Sequence, residues 1–360
     1  MPSHDANALR FANRSLVTCR SVFTKPADLD AEIIAAALAT RWAFAAIELA
    51  YQPVGFGSHH WRAVARTGDA RFLSVDDLRS NSASTPDGTR SAAFTRLQRA
   101  LRAARALSEE SALDFVVAPL ADIDGDVLVR LDERYSLAVY PHLSGASAGD
   151  HGEYRSAADR AAVLDRVVAL HAASKVAVPH AGVEDGFLPG RHELVTALGR
   201  IDETWSTGPY GERARVLLRE HAAGVRQLLA HFDRLLVGVC TDRERMVITH
   251  GEPHAANVVV DSTGPRLVDW ESALIAPPER DLWVLDPGDG SALAAYTAAT
   301  GVALCEERLD YYRLWYDLFE IAGYIDLFRD DHADTADAAE SWKNLVDFLQ
   351  PARRWPALFR

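Results

Sequence analysis

Cysteine is scarce: Cys19, Cys240 and Cys305 are the only three in 360 residues. No C-x-x-C pair occurs, so a disulfide framework and a dithiol metal or redox site are excluded, and the three thiols read as small buried hydrophobes. Long apolar runs are missing as well. The first 25 residues mix Asp5, Arg10, Arg14 and Arg20 with polar side chains and offer neither a signal-peptide core nor a membrane span, which points to a cytoplasmic location. Positive charge is not in excess either. With 51 acidic residues against 38 basic ones the net charge is -13, which repels nucleic acids and anionic membranes and favours cationic ligands. Internal repeats, low-complexity tracts and coiled-coil heptads are absent. What the chain does have is a 48% hydrophobic content, enough to bury the core of a two-lobed domain.

The first half reads as strands around one helix. Asp28 to Trp42 has helical spacing, with an acidic cap and Ile33, Ile34, Ala37 and Leu38 on one face. From Ala46 to Val64 the sequence alternates, breaks at Pro53-Val54-Gly55-Phe56-Gly57-Ser58 and resumes, the pattern of a hairpin with a glycine-rich tip. Arg71 to Val75 is a third strand, Ser91 to Ser108 an amphipathic helix, and Val127 to Leu131 and Ser136 to Tyr140 two more strands. Pro141 to Gly149 is then a small-residue crossing. Beyond it helices are expected over 157–173, 193–204, 212–236, 291–300, 309–328 and 333–349, interrupted by a hairpin between Met246 and Trp270. The expectation is an α+β protein with a tail (1–27), a sheet-rich lobe (28–142), a helical lobe (143–360) and a ligand cleft between the lobes.

The chemistry concentrates in Thr249-His250-Gly251-Glu252-Pro253-His254-Ala255-Ala256-Asn257 and, after a hairpin, Val268-Asp269-Trp270-Glu271. The hairpin's open end brings Asn257 close to Asp269, and an amide oxygen with a carboxylate is a hard donor pair suited to Mg²⁺ between protein and nucleotide phosphates. Glu252 is placed to orient a hydroxyl and take its proton. A zinc reading of His250 and His254 fails, because Gly251 and Pro253 oppose the helix that would aim both rings one way. His59 and His60 read as ordinary turn histidines.

In the order and spacing of these residues the chain resembles the aminoglycoside phosphotransferase and choline kinase superfamily, with its protein-kinase-like fold. The resemblance implies Asn257 and Asp269 as metal ligands, Glu252 in the place of the catalytic aspartate, and His250 and Asp281 as supports of the loop. It also implies Gly55, Phe56, Gly57 and Ser58 over the nucleotide phosphates, and Tyr140 to Leu143, His142 included, at the base of ATP or GTP. Family members carry a lysine on the third strand paired with a glutamate on the next helix; the only lysines here are Lys25, Lys175 and Lys343, none of them in a strand of that lobe. Arg71 or Arg62 then stands in for the lysine, unless metal and loop alone hold the nucleotide or nucleotide binding is lost. Glu252 is one methylene longer than the family's aspartate, and misplacement by about 1 Å costs about a hundredfold in rate. On the helix 309–328, Asp317 and Glu320 among aromatic residues are the candidates for binding a cationic acceptor. The function these features imply is transfer of a γ-phosphoryl group to a hydroxyl of an aminoglycoside, aminocyclitol or amino sugar; the alternative is a catalytically silent kinase-like binding protein.

Overall fold

The computed structural model describes residues 22–55, 57–82, 85–150, 153–239 and 243–359, so Phe56, Cys19, Cys240 and most of the expected tail lie outside the described residues. The N-terminal lobe opens with helix α1 (Ala31–Arg41), whose Asp30 cap accepts a hydrogen bond from the Glu32 backbone N–H at 2.9 Å. Strands β1 (Ala46–Gln52), β2 (His59–Ala65) and β3 (Ala70–Asp77) follow, then a short helix α2 (Leu78–Asn81) and the long helix α3 (Arg90–Glu110). Strands β4 (Val129–Arg130) and β5 (Tyr135–Pro141) complete an antiparallel five-stranded sheet in the order β1-β2-β3-β5-β4.

Because side chains alternate across a strand, the sheet has two distinct faces. Trp61, Leu73, Val75, Leu137 and Val139 point to α1 and pack with Ile34 and Leu38. Ala138 and Tyr140 point the other way and join α3 through Leu97, Leu101 and Ala104. On that second face β3 also carries Ser74 and Asp76, which become part of the cleft. Ile33, expected on the buried face of α1, is 41% exposed, one helical step off the apolar stripe.

After Pro141 the chain enters a mostly helical lobe. Its centre is Glu306–Arg329, packed against Arg191–Gly199, Gly211–Val239, Glu279–Leu285 and Ala336–Phe348. The expected single hairpin between Met246 and Trp270 is two structures. Val247–Thr249 pairs with Leu274–Ala276, while a tighter hairpin of Val258–Asp261 and Gly264–Leu267 also takes Ala146–Ser147 as a neighbour. The helix Glu279–Leu285 has no counterpart in the sequence-based expectation; at seven residues it is too short to display a periodic apolar stripe. Among the described residues no helix is long and apolar enough to cross a membrane.

Candidate active site

The loop between Thr249 and Asn257 is held from below by one carboxylate. Asp281, fully buried on the short helix, accepts from the backbone N–H of His250 at 2.9 Å, from that of Gly251 at 2.6 Å and from His171 Nε2 at 3.1 Å. Burial alone would raise its pKa; the His171 bond and the nearby His250 and Arg280 bring it below the usual carboxylate range instead. Gly251 sits at φ +97°, and a Cβ there would lie 2.5 Å from the Arg280 guanidinium, so only glycine fits. Arg280 in turn donates to Thr249 Oγ1 and to the Ser272 carbonyl, both at 2.8 Å.

His250 ties two segments together. Its Nε2 bonds the Val268 carbonyl at 2.9 Å and its Nδ1 accepts from the Glu252 N–H at 3.3 Å, so the ring links the loop to the strand leading into Asp269. With both ring nitrogens engaged it has none left for a metal. Burial lowers its pKa to about 4, and burial together with His250 lowers that of His254 to about 3, which keeps both rings neutral.

Asn257 and Asp269 sit where the hairpin closes. The Val268 N–H donates to the Asn257 carbonyl at 3.0 Å, and Asp269 takes a left-handed φ of 64°, a turn geometry that short polar residues tolerate. Asn257 is 8% exposed, and its Nδ2 donates to the Glu252 carbonyl at 3.2 Å, so the amide oxygen is the atom that could coordinate a cation. An amide oxygen and a carboxylate fit Mg²⁺, which takes few protein ligands and completes its octahedron with phosphate oxygens and water. Glu252 lies in the same loop and is 3% exposed.

The opposite wall differs from expectation. Arg71 points to the outer face of the sheet, its guanidinium 5.2 Å from the Phe44 ring, and Arg62 pairs with Glu48 at 3.5 Å, so neither replaces the strand lysine. The cleft is instead lined by Ser58, Ser74, Asp76 and Glu271. Ser58 Oγ donates to Asp76 Oδ1 at 2.7 Å and approaches Glu271 Oε2 at 3.2 Å, while Ser74 Oγ donates to Glu271 Oε1 at 3.2 Å. Burial raises the pKa of both carboxyls, and for Glu271 the neighbouring Asp76 and Asp269 carboxylates raise it further. Gly55 and Gly57 take φ +80° and +85°, the conformations for which a turn needs glycine, and Ser58 at the end of this turn reaches Glu271 across the cleft. Tyr140 is buried at the end of β5, and His142 is exposed in the crossing to the second lobe.

Asp317 and Glu320 do not line the cleft. Asp317 accepts from Arg354 Nε at 2.9 Å and from Trp355 Nε1 at 2.8 Å, and Glu320 is fully buried. Their helix contributes other residues to a cavity of about 550 Å³ that reaches Gly251: Tyr312 and Trp315 face it together with Trp283, Glu184 and Asp185. The Tyr312 hydroxyl is buried there without a hydrogen-bond partner among the described residues. The sequence points to Asp317 and Glu320 on this helix rather than to its aromatic residues, but packing against four other helices buries nearly every side of it.

A family model described as the phosphotransferase enzyme family (APH) matches residues 63–324. The protein StrN of Streptomyces griseus is 29% identical over 257 residues, which span 69% of this chain and 75% of that protein. A spectinomycin phosphotransferase, APH(9)-Ia, solved with ADP and spectinomycin, aligns at a TM-score of 0.68 with 15% identity, covering 91% of this chain and 98% of that one. A microcompartment-associated aminopropanol kinase aligns at 0.59 with 16% identity over 91% and 98% of the two chains. The fold is therefore the two-lobed protein-kinase-like one, and with the family match running from β2 through the loop clamped by Asp281 into the central helix of the second lobe, the chain belongs to the phosphotransferase enzyme family and is a small-molecule kinase.

Proposed function

We propose that this enzyme transfers the γ-phosphoryl group of ATP or GTP to a hydroxyl of a small cationic molecule of the amino sugar or aminocyclitol class. One observation carries the reading: a buried carboxylate, Glu252, sits in a loop clamped by Asp281 beside the Asn257–Asp269 pair, and the cavity next to it has aromatic and acidic walls. Trp283, Tyr312 and Trp315 offer faces to a ring, and Glu184 and Asp185 offer negative charge to ammonium groups. Of the proteins named above, the one of similar fold solved with ADP and spectinomycin supports a small-molecule acceptor.

In the reaction the acceptor oxygen forms a bond to the γ-phosphorus as the bond from that phosphorus to the β–γ bridging oxygen breaks, and the nucleoside diphosphate leaves. Glu252 orients the acceptor hydroxyl and receives its proton. Backbone N–H groups around Gly55, Gly57 and Ser58 cover the phosphates, and backbone groups from Tyr140 to His142 hold the base. Asn257 and Asp269 would hold Mg²⁺, which when bound neutralises phosphate charge. The transition state is loose, so most of the protein's contribution is positioning, which is what the Asp281 clamp supplies to the loop.

The test is release of nucleoside diphosphate from ATP and from GTP, with Mg²⁺, across a panel of amino sugars and aminocyclitols. Acceptor-dependent release with a phosphorylated product is expected. Tight acceptor binding without release under any nucleotide would favour a catalytically silent binding protein.

A further inference from the structure

The proposed nucleotide site lacks the strand lysine, and the structure shows a different cation in the cleft. Arg96 lies on α3, in a helical row with Ala93, Ala100 and Ala103, all buried. A long charged side chain in a row of buried alanines is directed into the interior. Its Nη1 donates to the Glu271 backbone carbonyl at 3.2 Å. Its Nε and Nη2 are out of solvent and have no hydrogen-bond partner among the described residues.

A guanidinium carries five N–H donors in a fixed fork suited to phosphate, and a buried donor left unpaired is costly. The surroundings show which ligand would satisfy it. Asp76 and Glu271 lie close enough to act on its charge, and both are bonded by Ser58 at the end of the glycine-rich turn. Glu271 is two residues beyond the metal-binding Asp269. Arg96 therefore sits between the loop that covers the phosphates and the segment that holds the metal. Arg96 also lines the cavity assigned above to the acceptor, which puts it where acceptor and transferred phosphate meet; the other arginines lining that cavity are engaged elsewhere, Arg99 donating to the Ala181 carbonyl at 2.8 Å and Arg280 held beneath Gly251.

We propose that the lysine and glutamate of the family are present here with their charges exchanged: Arg96 on α3 is the cation that binds the nucleotide's phosphates, and Asp76 on β3, with Glu271, is the neighbouring carboxylate that balances its charge. This inference rests on the proposed phosphotransfer and assigns its phosphate-binding residue. Direct contact with the nucleotide makes Arg96 part of the binding machinery, in contrast to His250 and Asp281, which act through the loop.

The experiment is calorimetric titration of adenosine, AMP, ADP and ATP, with Mg²⁺, into wild type, Arg96→Met and Arg96→Lys. A charge-assisted bond to phosphate is worth about tenfold to a hundredfold in affinity, so Arg96→Met should lose about that much for ATP, less for AMP and nothing for adenosine. Arg96→Lys should recover part of the loss. A residue with a merely structural role would weaken all four ligands alike, and that result would overturn the proposal. So would unchanged ATP binding with weakened acceptor binding, which would place Arg96 in the acceptor site. Failure of wild type to bind any of the nucleotides would instead remove the functional reading on which the inference rests.

Discussion

On the C-terminal side of the cleft the geometry is fixed through backbone: Asp281 holds two consecutive N–H groups, His250 bridges to the Val268 carbonyl, and Arg280 fills the space that only Gly251 leaves open. On the N-terminal side the groups lining the cleft are held by other side chains: Ser58, Ser74, Asn81 and Arg96 surround the carboxylates of Asp76 and Glu271. A backbone-held loop needs its residues at fixed spacing, because each one sets where the next can go. A side-chain network has no such requirement; a charge can be supplied from whichever element faces it. That difference explains how the chain keeps the order His250, Asn257 and Asp269 while lacking the strand lysine.

The largest effect should come from the catalytic loop. Glu252→Gln removes the proton acceptor and should lower kcat by about 10²- to 10⁴-fold while leaving nucleotide affinity nearly unchanged. An equal loss of nucleotide binding would erase the division of labour between the two walls. Asp281→Asn is the next test. It keeps the shape but removes the charge that three donors face, so kcat and thermal stability should fall together, whereas Glu252→Gln should spare stability; a variant with normal melting temperature and activity would show that the clamp does not position the loop.

Acid sensitivity probes the same wall. His254 is buried and its pKa falls from 6.5 to about 3, so between those values the unfolded chain binds a proton that the folded one does not. Stability therefore drops as pH falls through that window, by up to about 1.4 kcal/mol per pH unit for this one group. Asp76 and Glu271, with raised pKa values, act in the opposite direction, which is why the measurement is a difference. Chemical denaturation of wild type and His254→Gln between pH 7 and 5 should give the shallower slope in the variant, and parallel slopes would contradict the buried neutral imidazole.

The smallest effects separate the two readings of the central helix. Tyr312→Phe should raise the acceptor KM by about two- to tenfold, the worth of one neutral hydrogen bond, with nucleotide KM unchanged. Asp317→Asn should leave both KM values alone and lower the melting temperature, because its partners are Arg354 and Trp355. The reverse pattern would restore Asp317 to the acceptor site.

What was legible in the sequence follows the same division. The loop and the hairpin end stand within 20 residues of each other, from His250 to Asp269, so order and spacing make them legible. The glycine-rich turn was legible for the same local reason. The N-terminal wall of the cleft draws on positions 58, 74, 76, 96 and 271, which share no spacing. A signal for it did exist: Arg96 in a row of alanines and Asp76 on the face of β3 turned towards α3 are charges where the pattern calls for apolar residues. Arg71 was misleading, because a strand residue's face depends on register, and its neighbours Leu73 and Val75 put that face against α1. Asp317 and Glu320 were misread because amphipathic logic sends acids to solvent, and this helix has almost no solvent face.

The most direct test of phosphotransfer is thermal unfolding with ATP and with GTP, each with and without Mg²⁺, on wild type and on Asp269→Asn, which suits the left-handed backbone better than alanine. At a hundred times Kd a bound ligand stabilises the native state by about 2.7 kcal/mol. The account predicts a Mg²⁺-dependent rise in melting temperature for wild type that is lost in the variant. No shift in wild type with either nucleotide, or an equal shift in both proteins, would contradict it.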